Sequence, residues 1–293
     1  MVEVAESSPT GDVVLVVGPG RLRFRAHSAT LEMTSEVFRD MLHDGWNVSA
    51  SDHGEYILHD DNPAGFRLIF DVIHFRNRHR APSAADILEA AIVAHKYQMG
   101  NALSPASRQW LRSRGAGSMH PRARMELLAA AYIFNDSEAF ETISSELILE
   151  YAHHYHGIVD FKVLDVHLPW QVVHGLEERR AQLQIDLHQL LITLVDRREN
   201  CPCDKLKADA LKALQEQYTF PRIQQVSILD IIRDILQIVY DGQDPKVAFD
   251  TYQPVGAPIA FTIYQALERL RKDSRLCLIC IREGDSDPMS CEH

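Results

Sequence analysis

Residues 12–27 read DVVLVVGPGRLRFRAH, and this stretch decides the fold of the N-terminal third. Val13–Val17 is a run of apolar, mostly β-branched residues, which predicts a buried strand. The Gly18-Pro19-Gly20 step marks a turn, and it lacks the lysine and following helix of a phosphate-binding loop. From Leu22 to Ala26 apolar residues alternate with arginines, which predicts a half-buried strand. We therefore expect these two strands to form a hairpin.

The sequence that follows predicts one more strand, over residues 55–59, and several helices. The expected N-terminal signals of the helices are Ser35, Asn62 followed by Pro63, and Ser83 with Asp86 three residues later. The apolar faces of these helices can cover the sheet, because a three-stranded sheet cannot bury both of its faces alone. The fold class expected for this part of the chain is α+β.

A glycine-rich stretch over residues 112–117 is expected to separate this part from a helical remainder. The most regular predicted helix covers residues 176–198, where leucines recur with helical spacing. There is no internal repeat and no low-complexity tract. We therefore expect a flexible leader over residues 1–11, an α+β domain over 12–113 and an all-helical domain over 118–293.

Composition narrows the functional classes. The chain has 293 residues, of which 46% are hydrophobic and 24% charged, as in ordinary globular proteins. Its net charge of −11 disfavours nucleic-acid binding, because phosphates would be repelled. The N-terminus lacks a secretory signal pattern, and no apolar stretch is long enough to span a membrane. We therefore expect an intracellular protein of the cytoplasm, the nucleus or both, without membrane or direct nucleic-acid contact.

The motifs of the N-terminal third resemble a BTB/POZ domain. They are Asp12 to Val17, Phe24-Arg25-Ala26-His27, Leu31, Ser35-x-Val37-Phe38-x-x-Met41, Tyr56-Ile57-Leu58, Asp60-Asp61-Asn62-Pro63-x-x-Phe66 and Ala94-His95-Lys96-Tyr97-Gln98-Met99. The resemblance covers about residues 10–113, in order and with the family's spacing. It implies a small sheet with flanking helices that serves self-association and partner docking. The helical tail looks like that of fungal BTB proteins.

The resemblance implies a non-enzymatic protein-interaction protein that binds other proteins or forms a homodimer. One finer role is that of a cullin ubiquitin-ligase adaptor, in which the BTB domain binds the cullin and the tail binds a substrate. The alternative is a regulator of transcription or chromatin that acts through partners. The expected interaction residues are Asp12, His27, Phe38, Met41 and Trp46. Of these, Phe38, Met41 and Trp46 would form an exposed apolar footprint, and His27 would be a core histidine.

Two positions depart from the family pattern. Dimerising BTB domains often place Lys or Arg directly after the histidine, where it pairs with the early aspartate, but this chain has Ser28. Ser28 is also no nucleophile, since no base and orienting acid can be argued beside it. Cullin adaptors often carry a hydrophobic-x-Glu step where this chain has Trp46-Asn47-Val48. The short leader also leaves little room for the swapped N-terminal elements of large BTB dimers.

The cysteines are the clearest indication of a metal-binding site in the tail. They occur as Cys201-x-Cys203, Cys277-x-x-Cys280 and Cys291-x-His293. Zinc takes four ligands in a tetrahedron, and closely spaced pairs supply them. One hypothesis is a structural zinc held by Cys201, Cys203, Cys277 and Cys280, where Cys291 or His293 could replace one ligand. The other is that these are ordinary thiols, because free cysteine is often buried.

Two groups of basic side chains are expected at solvated helix ends. The first comprises His153, His154 and His156; the second comprises Arg76, Arg78 and Arg80 with His74 and His79. Histidines suit the negative end of a helix dipole, and a metal site is the alternative for the first group. A docking patch for an acidic partner is the alternative for the second.

Overall fold

The computed structural model describes residues 4–5, 8, 10–43, 55–76, 81–112, 119–158, 167–199, 205–239, 266, 269–270, 272 and 274–283. The chain divides into two compact units. The first comprises residues 1–139 and 166–168, and the second comprises residues 140–165 and 169–293. The α+β class of the N-terminal part and the helical character of the tail are confirmed.

The first unit contains a four-stranded sheet in the order β1-β3-β2-β4. The strands are β1 (Val4–Ala5), β2 (Val13–Val17), β3 (Leu22–Ala26) and β4 (Glu55–Leu58). The predicted hairpin is confirmed: β2 and β3 are antiparallel, with Leu15 opposite Phe24. The turn between them places Gly18 at a φ of +70°, which glycine adopts without strain. Strand β4 pairs in parallel with β2.

Strand β1 lies within the segment that was expected to be a flexible leader. It pairs in parallel with β3, and beyond it the amide of Ser8 donates to the carbonyl of Arg25 at 2.9 Å. A Cβ on Gly11 would overlap the carbonyl oxygen of Ala26, so only glycine lets the backbone pass this close. The edge of β3 offers unpaired backbone groups, and these residues satisfy part of them.

Helices cover the sheet and enclose an aromatic core. They are α1 (Ser28–Thr34), α2 (Glu36–His43), α3 (Pro63–Ile73), α4 (Ala84–Lys96), α5 (Gly100–Arg112) and α6 (Pro121–Phe134). The rings of Phe24 and Phe70 stack at 5.2 Å, and Phe66 lies beside both. Each of these three side chains is fully buried, so the hairpin strand and α3 share one core.

The predicted helix starts are confirmed. The Asn62 side chain accepts from the amide of Ala64, with Pro63 at the first helical position of α3. Ser83 and Asp86 form the reciprocal pair of hydrogen bonds that defines a capping box at α4. These short-range signals fix where both helices begin.

Helix α6 belongs to the first compact unit, although it follows the glycine-rich stretch at 112–117. It packs against α4, and its small residues Ala129 to Ala131 are buried. Small side chains let two helices approach closely, so α6 extends the hydrophobic core beyond α5. The domain boundary inferred from the sequence remains a prediction, since a compact unit and a family domain need not end together.

The second unit is helical. Its described helices are α7 (Ser137–Glu150, which begins in the first unit), α8 (Trp170–Glu199), α9 (Lys205–Gln217), α10 (Ile228–Val239) and α11 (Leu278–Glu283), with 3₁₀ turns at Tyr155–Gly157 and Arg222–Gln225. The predicted helix over residues 176–198 is confirmed, and it starts earlier, at Trp170. Leu183, Leu187 and Leu191 form a buried stripe along α8, and α8 packs against α9 and α10. Among the described residues, no helix is both long and apolar enough to cross a membrane.

Candidate interaction surface

Asp12 and Ser28 join the start of the hairpin to the start of α1. One carboxylate oxygen of Asp12 accepts from the Ser28 amide at 2.7 Å, and the other accepts from the Ser28 hydroxyl at 2.6 Å. These hydrogen bonds, with a smaller contribution from His27, hold the pKa of the exposed Asp12 carboxyl below its usual range. Asp12 is therefore satisfied without the basic partner that the family often supplies.

His27 is half-buried, so the expectation of a core histidine is wrong. Its Nε2 lies 2.8 Å from the Ser8 hydroxyl and 3.2 Å from the Thr10 hydroxyl. The His27 ring therefore has polar partners from the N-terminal segment, which an apolar core would not provide. Ser8 and His27 resemble a nucleophile and its base, but Ser8 is buried and both oxygens of Asp12 are engaged by Ser28. The arrangement holds the N-terminal segment on the sheet.

His74 lies beside His27 at the end of α3, with the two ring centroids 6.2 Å apart. Its Nδ1 lies 3.2 Å from the carbonyl of Phe70, whereas its Nε2 is buried without a hydrogen-bond partner among the described residues. An Nδ1–H that donates to this carbonyl leaves Nε2 as an unprotonated acceptor. Burial lowers the pKa of His74, and the nearby His27 and Arg76 lower it further. The structure thus favours a neutral imidazole.

The exposed apolar footprint expected around α2 is wrong for two of its three residues. Phe38 is only 1% exposed and stacks on Tyr97 with 4.5 Å between ring centroids; Met41 is also buried. Both side chains lie on the apolar face of an amphipathic helix, and this face turns toward the core. Trp46, the third residue, lies outside the described residues.

Asp61 ties the turn after β4 to the end of α4. Its buried carboxylate accepts from the Lys96 ammonium and from the Tyr97 hydroxyl, each at 2.8 Å. Burial raises the pKa of Tyr97, and the hydrogen bond to Asp61 raises it further. The Tyr97 carbonyl in turn accepts from the hydroxyl of Ser35, the cap of α2. These contacts are internal, so they shape the unit and do not form its docking face.

Among the described residues of this unit, two large apolar side chains remain in water, and sequence patterns indicated neither. Met33 on α1 is 84% exposed, and Phe75, just after α3, is 91% exposed. Phe75 also has a φ of +57°, in the region that usually favours glycine. Half-exposed Arg76 follows it, while Arg78, His79 and Arg80 lie outside the described residues.

In the second unit, only part of the predicted zinc site lies among the described residues. Cys277 is half-buried at the start of α11, where its carbonyl accepts from the Ile281 amide at 3.2 Å, and Cys280 is buried. Cys201, Cys203, Cys291 and His293 lie outside the described part of the chain. No group of three or more histidine, cysteine or acidic side chains within the described ranges could hold a metal. The zinc site remains a prediction.

The histidines after α7 are exposed and lie near one carboxylate. The Nδ1 atoms of His154 and His156 are 3.4 and 3.9 Å from Glu177 Oε1, which also accepts from the Tyr155 amide at 2.8 Å. Buried Arg180 donates to Glu177 Oε2 at 2.7 Å. The expected solvated helix end is therefore also a loop fastened to α8, a contact that sequence spacing could not indicate.

The comparison with protein families bears on the first unit. The family model for the BTB/POZ domain matches residues 3–109. The matched range includes all four strands and most of α5, and it begins early enough to include β1. No curated protein matches the chain.

Proposed function

We propose that this chain, whose residues 3–109 match the BTB/POZ domain family, works as a non-enzymatic protein-interaction protein. Domains of this family generally mediate protein–protein interaction, self-association and adaptor roles. The family is not typically enzymatic. The activity we assign to the chain is therefore the binding of a second copy or of a partner protein.

The observation that carries this proposal is the contrast between the core and the surface of the first unit. Its aromatic and aliphatic core is closed, yet Met33 and Phe75 remain almost fully exposed. Burying a side chain of this size against a partner contributes about 1.5–3 kcal/mol. Neither side chain gains this stabilisation within its own unit, so a partner surface is where they would contribute it.

The finer role that we propose is that of a cullin adaptor, with the helical tail as the substrate-binding part. The family supports this role, and the missing acid in Trp46-Asn47-Val48 weighs against it. Regulation of transcription or chromatin through partners is the competing role. This competing role predicts that affinity purification recovers nuclear regulators and no cullin.

Affinity purification with mass spectrometry on the intact protein tests the proposal. We expect specific partner proteins, and we expect Met33→Asp to reduce their recovery because it places a charge on the exposed face of α1. A known cullin adaptor, purified in parallel, controls for cullin recovery. The adaptor role fails if that control recovers a cullin and this protein does not. The interaction function fails if no specific partner is recovered and light scattering shows a monomer at micromolar concentration.

A further inference from the structure

Cys277 and Cys280 share the first turn of α11, and their positions in that turn bring them close together. Helix α11 begins at Leu278, and the Cys277 carbonyl accepts from the Ile281 amide at 3.2 Å. Cys277 is therefore the N-cap of the helix, and Cys280 is its third residue. An N-cap side chain turns back toward the third residue, as in the capping box. We therefore expect the two thiols to lie on the same side of one turn.

The geometry of this turn allows a direct bond between the two sulfur atoms. Residues three positions apart in an α-helix have Cα atoms about 5 Å apart. A disulfide requires a Cα–Cα distance of about 4.4–6.8 Å, so the bond can form without unwinding the turn. Neither cysteine is in a disulfide in the structure; Cys277 is half-buried and Cys280 is only 1% exposed. One thiol is thus open to a small oxidant, and the second lies within its reach.

Contacts with α7 hold the segment that leads into this turn. The Leu276 amide donates to the Ser144 hydroxyl oxygen at 3.0 Å. Two residues earlier, the hydroxyl oxygens of Ser274 and Ser145 lie 2.7 Å apart. These contacts precede Cys277, and the helix follows it, so the backbone around the pair is already ordered. Little conformational freedom remains to be lost when a disulfide forms, and such ordering raises the effective concentration of one thiol at the other.

We propose that Cys277 and Cys280 form a redox site, in which a hydroperoxide converts the two thiols to a disulfide and a dithiol reductant restores them. The Cys277 sulfur attacks the peroxide: an S–O bond forms, the O–O bond breaks, and an alcohol or water leaves. The Cys280 sulfur then attacks the sulfenic acid: the S–S bond forms, the S–O bond breaks, and water leaves. The two thiols lose two electrons and two protons, and the peroxide takes up both.

The exposure of the two side chains assigns their roles in this reaction. Cys277 meets the oxidant because it is half-buried, and Cys280 resolves the sulfenic acid because it is buried beside it. The reaction goes beyond protein binding, and it needs no metal. A zinc ion held by the same two sulfurs would protect them from the peroxide, so the test uses protein that has been treated with a chelator.

Peptide mapping of the intact, chelator-treated chain tests the proposal. Trypsin cleaves after Arg275 and Arg282, so residues 276–282 form one peptide that contains Cys277, Cys280 and no other cysteine. After native protein meets equimolar hydrogen peroxide, we expect this peptide to lack two hydrogens and to take up no thiol-alkylating reagent. Dithiothreitol added before alkylation should return the peptide with both cysteines alkylated. Cys291→Ser removes a thiol outside the pair and should leave this result unchanged.

Cys280→Ser removes the resolving thiol and separates the two roles. Cys277 should then stop at the sulfenic acid, which dimedone traps, and an absence of the dimedone adduct overturns Cys277 as the reactive thiol. Glutathione redox buffers measure the contribution of the folded turn. We expect the disulfide to be favoured about tenfold or more in the native chain over the chain in urea.

Two further results overturn the proposal, and the wild-type chain alone can give both. The first is a peptide that keeps two free thiols after peroxide, or whose Cys277 is joined to a cysteine elsewhere in the chain. The second is a disulfide that forms equally well in the native and unfolded chains, since the turn then does not bring the thiols together. Neither result bears on whether the protein binds partners.

Discussion

The carboxylate of Asp12 accepts two hydrogen bonds from Ser28, one from its amide at 2.7 Å and one from its hydroxyl at 2.6 Å. Ser28 is the first residue of α1, whose early amides have no partner within the helix. A serine at the place where the family often has a basic residue therefore gives Asp12 a neutral partner. The contact fastens the hairpin to α1 without an ion pair.

We predict that Ser28→Ala reduces the stability of the first unit by up to about 1 kcal/mol, since it removes one exposed hydrogen bond and leaves the amide bond. The lowered pKa of Asp12 stabilises the fold above pH 3.8 and ceases to do so as the pH falls through the folded-state pKa. In Ser28→Ala the free energy of unfolding should therefore decrease less steeply as the pH falls into the acid range. Urea unfolding at several acidic pH values measures this.

The exposed Asp209 supplies the control for this prediction. Asp209→Asn removes a carboxylate from α9 and should leave the decrease attributed to Asp12 in place. If Ser28→Ala and the wild type lose stability in parallel on acidification, the contact with Ser28 does not set the pKa of Asp12.

Burial of His74 predicts a second pH dependence, near neutrality. Its pKa is lowered in the fold, so the unfolded chain takes up a proton below about pH 6.5 that the folded chain does not. Stability therefore falls as the pH drops below 6.5 and is regained as the pH rises. His74→Leu should reduce this dependence, because leucine fills the site without a titratable nitrogen.

Urea unfolding at about pH 5 and pH 7 measures the difference, across the range in which histidine ordinarily titrates. His59→Gln, at an exposed position after β4, is the control and should retain the wild-type slope. An unchanged slope in His74→Leu would show that another group, such as His167 beside His95, causes the dependence.

Local signals made much of the first unit predictable. The hairpin follows from the β2 run, its turn and the alternation in β3, and the starts of α3 and α4 follow from Asn62 and Ser83. Each of these features depends on residues a few positions apart. The family resemblance rested on the same motifs, and it correctly implied how the strands and helices assemble into the fold.

Long-range contacts were not predictable. Strand β1 has only two residues, too few to show periodicity, and it depends on the free edge of β3. The end of α3 imposes a positive φ on Phe75. Because the residue there is not glycine, the sequence contained no sign of this backbone conformation. Phe38 was expected at the surface because of its place in the motif, whereas the helix face on which it lies determines its burial.

Arg180 holds the loop after α7, and we predict that replacing it strongly lowers the stability of the second unit. The guanidinium is buried, lies 5.0 Å from the centre of the Tyr155 ring and donates to Glu177 and to the carbonyl of His153. Arg180→Met removes these contacts and leaves Glu177 without its principal counter-charge. We expect a loss of about 2 kcal/mol or more, because breaking one side of a buried pair leaves a desolvated charge.

Thermal or urea unfolding measures this loss, and Arg233→Met is the matched control. Arg233 pairs with Asp230 at 2.6 Å on the surface of α10, where removing an ion pair costs under about 1 kcal/mol. Adding Glu177→Gln to Arg180→Met should recover part of the stability. Equal small losses in both arginine variants would contradict a central role for Arg180.

Tyr155 supplies an independent measurement in the same loop. Its buried hydroxyl donates to the carbonyl of Leu147 at 2.9 Å, and burial raises its pKa. Tyr155→Phe keeps the ring beneath Arg180 and removes one hydrogen bond, while the Leu147 carbonyl still accepts from the Tyr151 amide at 3.1 Å. We therefore expect a loss of about 0.5–1.5 kcal/mol. Tyr56→Phe, on the half-buried strand β4, provides a comparison at a less enclosed tyrosine.

The zinc hypothesis predicts about one metal ion per chain in the purified protein, held by Cys201, Cys203, Cys277 and Cys280. Elemental analysis should show that Cys203→Ser and Cys277→Ser each lower this content. Cys291→Ser should leave it nearly unchanged, because Cys291 serves only as a substitute ligand. A chelator should then lower the melting temperature of the wild type, since zinc binding contributes to folding.

Ordinary thiols predict the opposite pattern for every one of these measurements. Metal content would lie far below one per chain, and the chelator would leave the melting temperature unchanged. Cys277→Ser would then act only through packing, and Cys280→Ser would destabilise more, because Cys280 is buried and Cys277 is half-buried. A thiol titration of the folded chain separates the two cases independently, since bound zinc protects Cys277 from a reagent that a half-buried free thiol would meet.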